Sequence, residues 1–269
     1  MSNFFKNKVV AVTGGSDGIG RALVELLLQM DAKVATCGRN QDKLYDLQVA
    51  NAGKPLHTVV TDVSNWNDCR IFINSTIKTF GGIDILINNA GVSMRALVKD
   101  ADPDVFKKVM DINYYGTVFC TKLALPSIIE RKGTVVAVSS IAGYRGLPGR
   151  SGYSASKYAV NGWMEALRTE LIHDGVNVMW VCPGFTASNI RNAALNSEGK
   201  QQGESPMDEG KMMTADECAG HILNAVEKRK RTLVLTFTGK RTVFMNKFFP
   251  GLADKLAYKF FFKNGELVR

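Results

Sequence analysis

The sequence predicts an α/β protein built on a doubly wound parallel sheet, and three observations carry that prediction. Short apolar runs rich in Val and Ile recur along the chain, amphipathic stretches separate them, and the first run ends in a glycine-rich turn. Runs unbroken by polar residues suit strands covered on both faces. Strand and helix in alternation imply parallel pairing, because a parallel neighbour is reached through a helical crossover. A chain of 269 residues, 45% apolar and 22% charged, can bury such a core as one domain.

The predicted strands are VVAVT (9–13), KVATC (33–37), LHTVV (56–60), IDILIN (83–88), TVVAVS (134–139), VNVMWV (176–181) and TLVLT (232–236). Helices lie between them. RALVELLLQM follows the first strand, DPDVFKKVMDINYYGTVFCTKLALPSIIE precedes the fifth, and TADECAGHILNAVEKRK precedes the seventh. Asp102 before Pro103 is a start signal with proline at the first helical position, and Thr214 with Glu217 three residues later makes a capping box. The result is a Rossmann-like, seven-stranded parallel sheet with helices on both faces.

In such a sheet a ligand lies at the carboxyl ends of the strands, where the winding reverses. The first strand ends in TGGSDGIG. Gly14, Gly18 and Gly20 permit a tight turn and close approach to a pyrophosphate, and the helix beginning near Ile19 offers its N-terminal amides to the negative charge. At the end of the second strand an acidic side chain would bond the ribose hydroxyl of NAD, but Thr36, Cys37, Gly38 and Arg39 are all non-acidic. The guanidinium of Arg39 suits the 2′-phosphate of NADP instead. Its alternative is a solvent-facing residue near a helix start.

A second motif lies in SGYSASK (151–157). On a helix Tyr153 and Lys157 stand one turn apart on the same face. A phenol keeps its proton until pH ~10, and a neighbouring ammonium favours its anion.

Other features narrow the function classes. The three histidines are isolated, and the five cysteines, Cys37, Cys69, Cys120, Cys182 and Cys218, show no metal-ligand or CxxC spacing, so they read as reduced and buried, with neither disulfide nor zinc. No signal-peptide core or run of about 18 apolar residues is present, which makes a cytoplasmic protein the expectation. The formal charge of +9 is concentrated: residues 228–269 hold 11 Lys and Arg against Asp254 and Glu266, while the rest of the chain balances. That points to a local contact with an anionic surface rather than to nucleic acid along the whole length.

Taken in order, these pieces resemble the short-chain dehydrogenase/reductase family over about Lys8 to Thr236. TGGSDGIG is similar to the family's TGxxxGxG, Asp62 to its adenine-contacting aspartate and NNAG (88–91) to the segment ending the fourth strand. Asn113 and Ser140 fall 40 and 13 residues before Tyr153, YSASK fits YxxxK, and Pro183-Gly184 follows the sixth strand. The resemblance implies a catalytic set of Asn113, Ser140, Tyr153 and Lys157. Tyr153 would exchange a proton with a carbonyl oxygen, Lys157 would lower its pKa and hold the nicotinamide ribose, and Ser140 would place the substrate. Asn113 would interrupt its helix to hold a water linked to Lys157. For NADP(H) it implies contacts from Thr13, Gly14, Ser16, Gly18, Ile19, Gly20, Arg39, Asp62, Val63, Asn89, Ala90, Gly91, Tyr153, Lys157, Pro183, Gly184, Thr186 and Ser188. Ser188 stands where the family often has threonine, and Ser16 and Asp17 stand where many NADP members carry a basic residue. The YxxxK spacing differs from that of the enoyl reductases, and the length from that of the sugar-nucleotide epimerases.

The implied activity is hydride transfer between NADP(H) and a carbonyl or secondary alcohol. The alternative is a dinucleotide-binding sensor without chemistry, against which the intact Ser140, Tyr153 and Lys157 stand. Residues 185–213 form a long connection expected to act as a lid, and Met94, Leu147, Met212 and Met213 would make the site apolar if they face it. In the tail, 237–269, Leu252, Leu256 and Phe260 recur at helical spacing, as do Ala253, Ala257 and Phe261, while Lys255, Lys259 and Lys263 form a third line. This basic amphipathic helix either packs on the protein or lies peripherally on the inner membrane surface. It is similar in places to family members that reduce steroid or long-chain 3-keto lipids, the 3-ketosphinganine reductases among them, so a bulky lipophilic ketone is the expected substrate. The resemblance also implies a homodimer or homotetramer.

Overall fold

The computed structural model describes residues 3–204, 210 and 212–268. Its strands are β1 (Val9–Thr13), β2 (Lys33–Gly38), β3 (Leu56–Val60), β4 (Ile85–Asn88), β5 (Thr134–Val138), β6 (Asn177–Cys182) and β7 (Thr232–Val234). They pair in parallel in the order β3-β2-β1-β4-β5-β6-β7. The winding reverses between β1 and β4, so the crevice expected from the sequence opens above Thr13 and Asn88.

Alternate residues of each strand feed the two faces. Val10, Val12, Ile85 and Ile87 pack with Leu23, Leu27 and Ile222 on one side. Ala11, Leu86 and Val135 pack with Phe72, Ile128 and Met164 on the other. The first layer belongs to α1 (Gly18–Gln29) and α7 (Ala215–Glu227); the second belongs to α3 (Trp66–Phe80), α5 (Gly116–Glu130) and α6 (Ser151–Glu170), while α2 (Gln41–Ala50) connects β2 to β3. Each fully buried Leu or Phe contributes about 1.5–3 kcal/mol of transfer free energy, so both layers are needed to offset the chain entropy.

Two of the start signals act as expected. Asp102 accepts from Asp104 N before α4 (Pro103–Met110), with Pro103 in the first turn. Thr214 Oγ1 accepts from Glu217 N at 3.1 Å while Glu217 accepts from Thr214 N at 2.9 Å, the reciprocal capping box. The long stretch before β5 is not one uniform helix. Between α4 and α5 the segment Asp111–Tyr115 takes one wider, π-helical turn, and Asn113 lies inside it. Such a bulge turns side chains off the regular helical face.

The tail forms α8 (Phe237–Phe248) and α9 (Pro250–Phe261), then an antiparallel hairpin of β8 (Phe262–Lys263) and β9 (Glu266–Leu267). Its turn places Asn264 and Gly265 at φ 52° and 82°, the left-handed pair that a two-residue hairpin loop requires. α9 divides its apolar lines. Ala253 and Phe261 are buried on the domain and Phe260 stacks on Phe185, whereas Leu252 and Leu256 face outward with Lys255 and Lys259. Arg145 fixes the packed side by donating to Asn246 Oδ1 (3.0 Å) and Asp254 Oδ1 (2.6 Å), and Asn246 Nδ2 donates to Tyr144 O (2.7 Å). No described helix is long and apolar enough to cross a membrane.

The connection expected to be a lid is tied down along part of its length. Leu195 N donates to Ser93 O (2.9 Å), Arg95 N donates to Leu195 O (2.8 Å), and Leu195 itself is buried. A segment held by backbone bonds to the domain moves only when those bonds open. Positions 205–209 and 211 of the expected lid lie outside the described residues.

Candidate active site

A cleft of about 580 Å³ runs along the carboxyl ends of the strands, from Gly38 and Arg39 at one end to Tyr153, Leu147 and Arg150 at the other. The glycine turn forms its floor. Gly14 sits at φ +70°, and a Cβ there would come within 2.9 Å of Ala90 Cα; only glycine combines that backbone with that approach. Asp17 caps α1 by accepting from Gly18 N at 2.8 Å, and the first residues of α1, Gly18, Ile19 and Gly20, line the cleft; the positive end of a helix favours an anion there.

The residues expected around a dinucleotide fall along this cleft almost without exception: Gly14, Ser16, Gly18, Ile19, Gly20, Arg39, Asp62, Val63, Asn89, Ala90, Gly91, Pro183, Gly184, Thr186 and Ser188 all line it, as do Ser140, Tyr153 and Lys157. Two expected residues do not. Thr13 is buried behind the turn, where its Oγ1 accepts from Asn89 N and Ala90 N at 3.0 Å each. Asn113 is fully buried, its Oδ1 accepting from Val92 N (2.8 Å) and its Nδ2 donating to Val92 O and Ser156 Oγ (2.9 Å each). Both are positioning residues in this arrangement, Thr13 joining β1 to the end of β4 and Asn113 joining that segment to α6.

At the ribose end Arg39 is exposed at the close of β2, beside Lys43 of α2. Lys43 Nζ reaches across to Asp17 Oδ2 at 2.5 Å. Burial alone would raise the Asp17 carboxyl, but the Lys43 ammonium, the Gly18 amide and Asn189 more than offset it and hold it below its ordinary value. The glycine turn itself holds no basic residue; the fold brings Lys43 there from the next helix. Only the three-dimensional crossover reveals that pairing.

At the other end α6 starts just before its functional pair. Tyr153 is buried, and that burial raises the phenol above its usual value; contact with the Ser140 hydroxyl and the charge of Arg150 work in the opposite direction. The expected lowering by Lys157 is not found. The Lys157 ammonium stands 5.7 Å from the Tyr153 ring centroid and donates to Val138 O at 2.8 Å. Its own pKa is pushed down by burial to about 8. Tyr153 thus holds its proton at neutral pH among the protein's own groups, which is the form that can donate.

The apolar lining differs from expectation. Leu147 faces the cleft, but Met94 is fully buried beneath α6, and Met212 and Met213 are not among the lining residues; Ile112, Phe185 and Ile190 take their place. Met94 is drawn inward because Gly152 leaves room for its sulfur, 2.9 Å from where a Cβ would stand. All five cysteines are buried thiols.

A glycine turn at the switch point, opening into a cleft that ends in a Ser, Tyr and Lys cluster, defines an oxidoreductase site for a nicotinamide dinucleotide. The family model for short chain dehydrogenases matches residues 8–199, and the chain belongs to that family. Among its relatives, Dehydrogenase/reductase SDR family member 7B of Mus musculus is 35% identical over 257 residues, covering 93% of this chain and 80% of the relative. Dehydrogenase/reductase SDR family protein 7-like of Drosophila melanogaster is 30% identical, covering 87% and 74%. In structure the chain is similar to a short chain dehydrogenase/reductase from Burkholderia phymatum in complex with NAD, with a TM-score of 0.83 and 22% identity over 94% of this chain and 96% of that one. It is also similar to a short-chain dehydrogenase/reductase of unknown function from Caenorhabditis elegans with cofactor, at a TM-score of 0.76 and 26% identity over 86% and 95%.

Proposed function

We propose that the chain is an NADP(H)-dependent carbonyl reductase, or alcohol dehydrogenase in the reverse direction, acting on a bulky lipophilic ketone. The observation that carries this is the convergence of Ser140, Tyr153 and Lys157 on one end of a cleft whose other end presents Arg39 and Lys43. A bound nicotinamide dinucleotide supplies the hydride. The chain's own groups do the rest. Ser140 donates a hydrogen bond to the ketone oxygen and orients it, and Tyr153 passes its hydroxyl proton to that oxygen as negative charge develops there. Lys157, buried in the same wall, presents an ammonium to the nicotinamide ribose. Arg39 supplies a planar donor pair for a 2′-phosphate, with Lys43 adding charge beside it. A sensor without chemistry would have no use for the three-residue cluster at the far end. Turnover of NADPH with a panel of steroid, 3-ketosphinganine, 3-oxoacyl and small aromatic ketones tests the reading, and a panel left wholly unreduced contradicts it.

The pKa of Lys157 gives this reading a pH signature. Below pH about 8 the ammonium is charged and can hold the ribose; above it the charge is lost. Affinity for NADPH in the absence of substrate is therefore expected to weaken as pH rises through about 8. Fluorescence titration across that range should show the limb in the wild type and a flat profile in Lys157→Met; the same limb in both would assign it to another group.

For the tail we propose peripheral contact with an anionic lipid interface. Phe244, Phe248, Phe249, Leu252 and Leu256 all stand outward and half-exposed at the corner of α8 and α9, with the Phe244 ring against those of Phe248 and Phe249. The segment's charge argues against a second copy of the chain on this face, since a two-fold contact would set the same positive surface against itself. Aromatic rings with flanking lysines suit the boundary of an anionic bilayer. The protein should sediment with vesicles containing phosphatidylserine, and Phe248→Ser with Phe249→Ser should abolish that. Equal binding to neutral phosphatidylcholine vesicles, or none to either, contradicts the assignment.

A further inference from the structure

The substrate end of the cleft carries a charge that the proposed reduction of a neutral ketone does not use. Arg150 stands three residues before Tyr153, at the N-terminus of the 20-residue helix α6, and lines the cleft. It is 9% exposed. Among the described residues its guanidinium has no hydrogen-bond or ion-pair partner; it stands over the Phe261 ring, 5.3 Å from its centroid, at the end of α9. A buried cation without an anion is costly, and a helix N-terminus, already positive, makes it more so.

The surroundings add positive charge. Arg95 and Arg191 both act on Arg150 and, after burial itself, help lower its pKa, while the Tyr153 phenol works to raise it. Arg191 lines the same cleft and donates from Nη2 to Thr186 O at 2.9 Å. The side chain of Arg95 is largely buried, 17% exposed, and its described ionic partner is Glu204, at 3.8 Å on an exposed side chain. This is not the phosphate end of the dinucleotide site, since Arg39 and Lys43 lie at the opposite limit of the cleft, by β2, whereas Arg150 adjoins the tyrosine that meets the ketone.

Resting on the carbonyl reductase reading, we propose that Arg150, with Arg191 beside it, binds an oxyanion on the substrate, so that the preferred ketone is an anionic amphiphile bearing a phosphate or carboxylate group. The guanidinium fork matches either group with paired, charge-assisted hydrogen bonds. Phe261 backs the guanidinium, whose Cζ stands over its ring, while Arg150 lines the cleft. Specificity follows from the cost of leaving the cation unmet: a neutral ketone of the same shape buries Arg150 without compensating it.

Two matched comparisons test this with the full chain and NADPH. In the first, a long-chain 3-oxo acid is compared with its methyl ester, and a phosphorylated hydroxyketone with its dephosphorylated form. The anionic member of at least one pair should be preferred about 10- to 100-fold in kcat/KM, mostly through KM, as expected for charge-assisted bonds. The pair that shows the preference identifies the oxyanion. Arg150→Gln should collapse the ratio toward one and Arg150→Lys should restore part of it. A ratio near one in the wild type, or a ratio unchanged in Arg150→Gln, overturns the proposal. In the second, calorimetry measures dodecyl phosphate, laurate and dodecanol binding to the NADPH-loaded protein. Binding of either anion but not the alcohol, lost in Arg150→Gln while NADPH still binds, supports the proposal even if no ketone in the panel turns over, which would count against the reductase reading alone. Equal affinity for the alcohol and the anions, or no anion binding at all, overturns it.

Discussion

Replacing Tyr153 with Phe is expected to cut ketone reduction by about a hundred- to ten-thousandfold, the usual worth of a positioned proton donor, while NADPH binds almost as before. The side chain is buried, and Phe fills the same volume with no new polar group, so the fold and the cleft walls should survive. What disappears is the hydroxyl that faces Ser140 and carries the transferable proton. Steady-state kinetics beside a fluorescence titration of NADPH separates the two effects. A fall in affinity as large as the fall in kcat would mean that the residue shapes the site rather than donating to the substrate.

The second large effect concerns the opposite end of the cleft. Arg39→Asp should weaken NADPH by about 10- to 100-fold, since charge-assisted bonds to a phosphate are each worth about 1.5–3 kcal/mol and a carboxylate adds repulsion. NADH, with a hydroxyl in place of the phosphate, should lose little or gain, because the new carboxylate can accept from the ribose. The ratio of the two affinities is therefore the quantity to measure. Equal losses for both dinucleotides would remove Arg39 from phosphate recognition. The solved neighbour bound to NAD is only 22% identical to this chain, so it bears on the fold rather than on this preference.

Much of the architecture was legible in the sequence because the inner strands are covered on both faces and so read as apolar runs. VVAVT, buried throughout, is β1 residue for residue, and LHTVV is β3, the partly exposed edge strand. The glycine turn and the Tyr153 and Lys157 pair were equally visible, being local spacings that the fold preserves. What escaped notice depends on contacts distant in sequence. Lys43 gives no signal as a cleft residue until α2 folds back over Asp17, and Arg150 becomes a site residue only when Phe261, 111 positions later, packs on it. Asn113 shows the same limit in reverse: its place in an interrupted helix was anticipated, yet its side chain is spent on Val92 and Ser156 rather than turned to the cleft. The β8–β9 hairpin was legible as well, since Asn264-Gly265 between Phe262-Lys263 and Glu266-Leu267 is the turn sequence a two-residue loop favours.

The tail shows why amphipathic spacing alone could not settle its packing. Both apolar lines were present, and each has the same periodicity. Steric fit divides them: small Ala253 and the terminal Phe261 nestle on the domain, beside Arg145 and Arg150, while the leucines on the neighbouring line are left outward with the lysines. Packing on the protein and presenting a lipid-compatible face are therefore compatible uses of one helix.

The most direct test of the central claim follows the transferred hydrogen. The ketone panel is to be reduced with NADPH carrying deuterium at both nicotinamide C4 positions, and the alcohol product analysed by mass spectrometry. One deuterium is expected at the carbinol carbon, with a hydroxyl proton drawn from water by way of Tyr153, and product formation by Tyr153→Phe slowed by about a hundred- to ten-thousandfold. Reduction that persists undiminished in that variant, or an alcohol without deuterium, would contradict that claim.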